Sequence, residues 1–339
     1  MIPYRTRNIL NKLAVIGLVL LVAAAVVIFC WFLWLNRYVI YTRTGAQLDF
    51  SLSPELSQGQ AVQPDKPLTE IDIYYNEGDN MILPDSVELQ QLSGFYITGE
   101  MLQTQFAQVQ QTVAGLSADT PIMLDVKNIR GEFYYSTKLG KNASAIDPEQ
   151  MDALIAELKQ GNRYLIARMP ALRDYWFGLE NVNCGVFNPN RLSLWMDDQR
   201  CYWLNPQSQG TLSHLIQIVT ELQEKGFNEV VFTDFCLPNT TAIYFEGDRT
   251  QAINAAAETL AKACAKNGFT LSFLNSANGF VLPQGRTRLY LENVSAAQAA
   301  GTVEESGIEN AYSRMVFLTD LMDTRFDEFS VIRPIKITE

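Results

Sequence analysis

Hydrophobic and polar positions divide the chain into three regimes. Residues 13–35 run without a charged or strongly polar side chain. At about 1.5 Å per residue such a helix reaches roughly 35 Å, enough for a hydrocarbon core of about 30 Å. From about residue 51 to residue 93 the chain turns to Ser, Gln, Pro, Asp and Glu with short apolar islands, and Pro64, Pro67 and Pro84 argue against a long regular element. From residue 94 onward, short β-rich apolar runs alternate with longer segments of helical period. The predicted strands are 94–98, 122–126, 164–168, 229–235, 270–275, 288–293, 315–319 and 329–333, and the predicted helices 102–114, 148–159, 209–225, 251–267 and 296–304. In the third helix Leu212, Leu215, Ile216, Val219 and Leu222 share one face.

Eight strands in about 245 residues match the size of a (β/α)8 barrel. A doubly wound open sheet would usually carry a Gly-rich phosphate turn after its first strand, and no G-x-G-x-x-G or Walker sequence occurs. The expected fold is α/β, a (β/α)8 TIM-type barrel preceded by a single N-terminal transmembrane helix and a short stalk. The expected boundaries are a cytoplasmic tail at 1–12, the transmembrane helix at 13–35, a stalk with edge strands at 36–93, and the barrel at 94–339.

Arg5, Arg7 and Lys12 precede the apolar run, against Arg37 and Arg43 after it, and Trp31 and Trp34 mark its far boundary. This pattern predicts a single pass with the N-terminus inside and the bulk outside. A cleaved signal peptide has a shorter apolar region ending in small residues, whereas Ala23, Ala24 and Ala25 lie mid-run. Lipidation at Cys30 is disfavoured by Phe29 before it.

Charge sharpens the picture. Residues 1–43 hold five cations and no acid, so a net charge of −11 for the whole chain becomes −16 for residues 44–339. Such a surface repels phosphate backbones, and no basic stripe with interleaved aromatics offsets it, so nucleic acid is not an expected partner. Beyond Cys30 the cysteines are Cys184, Cys201, Cys236 and Cys264. Cys184 and Cys201 could pair across a loop in an oxidising compartment, with packing as small apolar residues the commoner alternative. One histidine and the absence of C-x-x-C and G-x-S-x-G leave no metal or cofactor to be expected and no nucleophile elbow. That histidine, His214, falls on the polar side of its predicted helix, which implies a surface position.

In a barrel of this kind chemistry gathers where strands end. The rule selects Glu100, Asp125, Arg168, Asp174, Asp234, Asn275, Glu292 and Asp320. Carboxylates converging from different strands are what glycoside hydrolysis requires, one to protonate the leaving oxygen and one as nucleophile or base. Acidic residues also end strands as caps and loop hydrogen-bonders. Tyr175, Trp176, Trp195, Tyr202 and Trp203 cluster after the third strand, where they serve equally as a stacking platform or as the core of a long loop.

Five segments carry a family resemblance: GFYITGEM at 94–101, LDVKNIRGEFYY at 124–135, YLIARMPALRD at 164–174, WLNP at 203–206 and GFNEVVFTDFCLP at 226–238. In this order and spacing the chain resembles the glycoside-hydrolase-like (β/α)8 barrels of bacterial envelope proteins, distantly related to the α-amylase barrel. The resemblance implies a carbohydrate ligand, a place at the outer face of a bacterial cytoplasmic membrane, and envelope protein partners. The carboxylates implied for catalysis are Asp125, Glu292 and Asp234. Those implied for substrate binding are Glu100, Lys127, Arg168, Asp174, Trp176, Trp203, Asn205 and Asn275.

Several acidic positions of the family pattern are changed. Thr233 replaces an aspartate and Cys236 an arginine, Asn128 and Asn205 replace acids, and Asn275 ends the fifth strand where a carboxylate is expected. Asp234 stands one place along, which turns it to the opposite face unless the strand bulges. An amide keeps the shape of an acid but not its proton or charge, so the pattern suits either hydrolysis by the surviving carboxylates or a glycan-binding or scaffolding surface without turnover.

Overall fold

The computed structural model describes residues 89–337 apart from 162, 266–267 and 275–278, together with Val27, Trp31, Val39–Thr42 and Gly45–Leu48. Two compact units, Met1–Gly78 and Asp79–Glu339, are separated along the chain. In the first, Val39–Thr42 and Gly45–Leu48 pair as an antiparallel hairpin. Most of the predicted membrane helix at 13–35 lies outside the described residues, and among those described no helix is long and apolar enough to cross a membrane.

The second unit is a closed barrel of eight strands: β1 (Ser93–Ile97), β2 (Ile122–Asp125), β3 (Leu165–Pro170), β4 (Glu229–Thr233), β5 (Thr270–Leu274), β6 (Leu289–Glu292), β7 (Met315–Leu318) and β8 (Ser330–Pro334). Each pairs in parallel with its sequence neighbours, and β8 closes onto β1. Their continuous apolar runs are the mark of strands buried on both faces.

The helices are α1 (Gly99–Thr104), α2 (Phe106–Ala114), α3 (Pro148–Gln160), α4 (Tyr175–Glu180), α5 (Gln209–Lys225), α6 (Arg249–Cys264), α7 (Ala299–Ser306) and α8 (Ala311–Arg314). Local chemistry starts and stops them. Asp147 caps α3 by accepting from the N–H of Glu149, with Pro148 preset for the first turn, and Gly226 ends α5 at φ 103°, where a side chain would be strained. The predicted helix 102–114 is two helices, because Thr98 caps α1 directly after β1 and the backbone leaves helical geometry at Gln105. Two short helices, α4 and α8, have too few residues to show a period.

Alternation along the strands sorts the core. Outward residues such as Val230, Phe232, Leu271 and Phe273 pack under the helices. Inward residues Met123, Ile166, Val231, Tyr290, Val316 and Ile332 fill the lumen. Truncating a buried side chain such as Phe232 to Ala costs about 3–5 kcal/mol. Leu92 joins the lumen cluster and Gln90 supplies a carbonyl to Arg288, so the barrel body begins a few residues before residue 94.

Below that layer lies a polar floor. Glu229 and Arg288 form a buried ion pair at the N-terminal ends of β4 and β6. One Glu229 oxygen also accepts from Ser272 at 2.6 Å and Tyr290 at 2.8 Å, the other from Tyr164 at 2.9 Å. The guanidinium donates further to the carbonyls of Ser313 at 2.9 Å and Gln90 at 2.8 Å. Burying two charges is tolerated when nearly every lone pair and proton is occupied, as here.

Candidate active site at the barrel mouth

The C-terminal ends of the strands form the opposite face, and inward alternation brings Tyr96, Asp125, Arg168 and Glu292 to it from β1, β2, β3 and β6. Asp125 and Arg168 are register partners in the β2–β3 ladder. Arg168 joins both carboxylates, its Nη1 lying 3.2 Å from Asp125 Oδ1 and its Nη2 3.0 Å from Glu292 Oε1. Two acids held by one fork cannot have their facing oxygens farther apart than about 9 Å, and paired carboxylates act on glycosidic bonds at roughly 5–9.5 Å.

Asp125 is heavily coordinated. The Tyr96 hydroxyl lies 2.8 Å from both its oxygens, and the Gly99 N–H donates to Oδ2 at 2.7 Å. Gly99 also approaches Tyr134 so closely that a Cβ would lie 2.7 Å from its hydroxyl oxygen. Arg168 donates to the Tyr96 oxygen at 2.6 Å. Burial, with the Asp125 charge beside it, pushes the Tyr96 hydroxyl far above its ordinary range, so it stays a proton donor. Burial opposes the charge of Arg168, yet Tyr96, Asp125 and Glu292 together raise its pKa. The side chains remain reachable, with exposures of 17% for Asp125, 21% for Arg168 and 36% for Glu292.

A second polar cluster gathers in the segments that follow β3 and β4. Asp234 follows β4 in the left-handed conformation, φ 50°, which Asp tolerates better than most residues. Its Oδ2 accepts from the Thr233 hydroxyl at 3.0 Å and its Oδ1 lies 3.7 Å from Arg173 Nη1. Arg173 also pairs with Asp197, which accepts from the Trp203 indole N–H at 3.0 Å. Burial opposes the Asp197 charge, but the Cys201 N–H, Trp203 and Arg173 hold its carboxyl below the usual range.

Other predicted residues lie elsewhere. Lys127 and Asp174 form a 2.7 Å ion pair with side-chain exposures of 0% and 2%, sealed from any substrate. Lys127 also donates to the Pro170 carbonyl at 3.2 Å, and Asp174 caps α4 by accepting from the Phe177 N–H at 2.8 Å. Gly131, φ 78°, permits this packing, since a Cβ there would lie 2.0 Å from Asp174 Oδ1. His214 is buried, not on the surface, because α4 covers the face of α5 that periodicity marks as polar. It stacks on Phe177 with centroids 3.8 Å apart, and its Nε2 is 3.8 Å from Asp174, beyond hydrogen-bond reach.

Trp203 is buried in the core of the β3–α5 excursion. Asn205 accepts from the Gln207 N–H at 2.9 Å, shaping a turn. Trp176 is half-buried, its indole N–H 3.4 Å from Glu132 and Lys141 3.1 Å from its ring centroid. Glu100 is exposed in the first turn of α1. Asn275 lies outside the described residues. Cys184 and Cys201 are buried thiols and do not bridge. Among the described residues no group of three His, Cys, Asp or Glu side chains could hold a metal ion. Tyr96, Arg173 and Asp197 are not singled out by the sequence; Tyr96 could be found from alternation along β1, which puts it on the face opposite Phe95 and Ile97.

No curated protein matches the sequence. Among solved structures, a hypothetical protein from Ruminiclostridium thermocellum ATCC 27405 is 22% identical, over 53% of this chain and 96% of its own, with a TM-score of 0.45. The β-N-acetylhexosaminidase from Bacteroides fragilis NCTC 9343 is 8% identical, over 72% of this chain and 60% of its own, with a TM-score of 0.50, a likeness of fold alone. The glycoside hydrolase domain of PelA from Pseudomonas aeruginosa is 12% identical, over 73% and 95%, with a TM-score of 0.42. Residues 94–273, from β1 through most of β5, match the family model described as "Putative glycosyl hydrolase domain", and the chain belongs to that family.

Proposed function

We propose that the barrel mouth binds a glycan through Asp125, Arg168 and Glu292 without turning it over, and that residues 13–35 anchor the barrel on the outer side of a bacterial cytoplasmic membrane. The observation that carries the first part is the Arg168 fork. A scissile bond must lie between acid and nucleophile, and here a guanidinium occupies that place. Three reachable, fixed polar groups at one rim suit recognition of sugar hydroxyls, and the acids lost from the family pattern at Thr233, Asn128 and Asn205 agree with lapsed chemistry.

A second reading, O-glycoside hydrolysis, draws support from the bounded separation of the two carboxylates. In it Asp125 and Glu292 share the acid and nucleophile roles, Asp234 is a third candidate, and Arg168 must swing clear. The readings part in one experiment, in which the full-length chain is offered cell-wall and storage glycans while binding and reducing ends are followed. Binding without release fits the proposal. Release abolished by Asp125→Asn and by Glu292→Gln would establish the hydrolase instead, and neither binding nor release would leave a scaffolding role for envelope protein partners.

The anchor rests on the length and apolarity of residues 13–35 and on the cations before them. Alkaline extraction of bacterial membranes should leave the full chain in the pellet and release a chain lacking residues 1–35. Protease added to intact spheroplasts should degrade the barrel; protection would reverse the orientation.

A further inference from the structure

Residues 171–208, joining β3 to α5, build most of a groove of about 670 Å3, joined there by Ala242. None of its lining residues belongs to the Asp125–Arg168–Glu292 cluster. Its volume falls within the roughly 300–1,000 Å3 of small-ligand sites.

Two half-buried rings line the groove, and each is fixed from behind. Tyr202 stacks on Tyr175 with centroids 5.4 Å apart and planes 10° apart, and Arg130 packs over Tyr175 at 4.3 Å. Trp195 leans on Trp203 at 6.4 Å, the residue whose indole is tied to Asp197. Rings already ordered lose little entropy when a ligand stacks on them.

The polar lining comes from Asn188, Asn190, Arg191 and Ser193. Asn188 is buried, and its Oδ1 accepts from the Asn190 N–H at 3.0 Å. Its Nδ2 makes no hydrogen bond among the described residues and is not one of the sealed polar atoms, so it stays open to solvent. Among the described residues no acidic side chain lines it and Arg191 is its one charged residue, in a part of the chain that carries −16 overall. That local balance turns away cationic ligands, and the two amides, the hydroxyl and the guanidinium offer hydrogen bonds to a ligand rich in hydroxyls.

We infer that this groove is a second saccharide site, separate from the mouth, which takes an uncharged oligosaccharide. Trp195 and Tyr202 pack against the C–H faces of sugar rings, while Asn188 Nδ2, Ser193 and Arg191 meet the hydroxyls. Binding here needs neither Asp125 nor Glu292, so the groove stands or falls apart from the reading of the mouth. The exposed aliphatic rim of Leu179, Val182 and Met196 would also suit a second copy of the chain, and the test separates the two.

The purified full-length chain is titrated with cellotetraose and maltotetraose by calorimetry and tryptophan fluorescence, with sedimentation to report self-association. At least one probe should bind, and Trp195→Ala should lower the number of sites per chain by one. Trp195→Phe, which keeps a stacking face, should restore that site. Asn188→Asp keeps the acceptor for the Asn190 turn but removes the donor, and should weaken the site about tenfold. Circular dichroism checks that the variants fold. An unchanged site count in Trp195→Ala, no binding of either probe, or self-association abolished by Trp195→Ala in place of saccharide binding overturns the inference.

Discussion

The two ends of the barrel use the same chemistry for opposite ends. At the floor, Arg288 meets Glu229 with both side chains sealed, at exposures of 1% and 0%, and every oxygen of the acid is engaged by side chains of neighbouring strands. At the mouth, Arg168 meets Asp125 and Glu292, which are partly open to solvent, and its own Nε is buried without a hydrogen-bond partner among the described residues. An ion pair cut off from water is a structural commitment, since removing one partner strands the other charge in low dielectric. A pair that water can reach is exchangeable, and its groups can be lent to a ligand. On the proposed reading of the mouth, exposure more than residue type divides stability from recognition, in keeping with the general separation between the two faces of such barrels.

The largest expected effect tests the floor. Arg288→Met should cost about 3–5 kcal/mol in chemical denaturation because Glu229 is left buried without its cation. A loss under about 1 kcal/mol would remove the contrast on which the comparison rests.

Acid probes a third, equally buried pair, in the segments that follow β2 and β3. Burial opposes the Asp174 charge, but Lys127 beside it, with His214, brings its carboxyl down from 3.8 to about 2. Burial pushes the His214 imidazole below its ordinary 6.5, and Lys127 acts in the same direction against Asp174. Both groups bind protons more readily in the unfolded chain, so their stabilisation is complete above pH 6.5. The His214 part declines as pH falls below that value. The Asp174 part, about 2 kcal/mol, declines between about pH 4 and 2. Denaturation midpoints taken from pH 7.5 to 3 should show both limbs, and His214→Phe should flatten the upper one. A midpoint that holds steady down to pH 4 in the unmodified chain would contradict the burial of the imidazole as a cause.

The smallest expected effect concerns stability at the mouth. Glu292→Ala should change unfolding by less than about 1 kcal/mol, since its exposed pairing with Arg168 is screened by solvent. A cost as large as that of breaking the floor would make the mouth a structural clasp.

Much of this architecture is legible in the sequence, for reasons that also mark the limit. Strands buried on both faces leave continuous apolar runs, so all eight can be located to within a residue or two. Strand ends of a closed parallel barrel share one rim, so Asp125, Arg168 and Glu292 can be grouped before any coordinates. Lys127 and Asp174 cannot be separated from them by that rule, because they too follow strand ends. Only the Asp174 to Phe177 spacing, which suits a helix cap, hints that the acid turns inward. His214 is misplaced because helical period reports one buried face, whereas α5 is covered on two, by the barrel and by α4. The left-handed turn at Asp234 leaves no periodic trace at all.

Arg168 spans two carboxylates as a fork, which is more than a positive charge. Lysine keeps the charge but offers a single ammonium that cannot hold both acids in the same geometry. Titrating the full-length Arg168→Lys chain with a glycan that occupies the mouth of the unmodified protein therefore tests it most directly. Affinity should fall at least about tenfold with an unchanged unfolding midpoint; unchanged affinity would mean that the charge alone suffices and would contradict the fork.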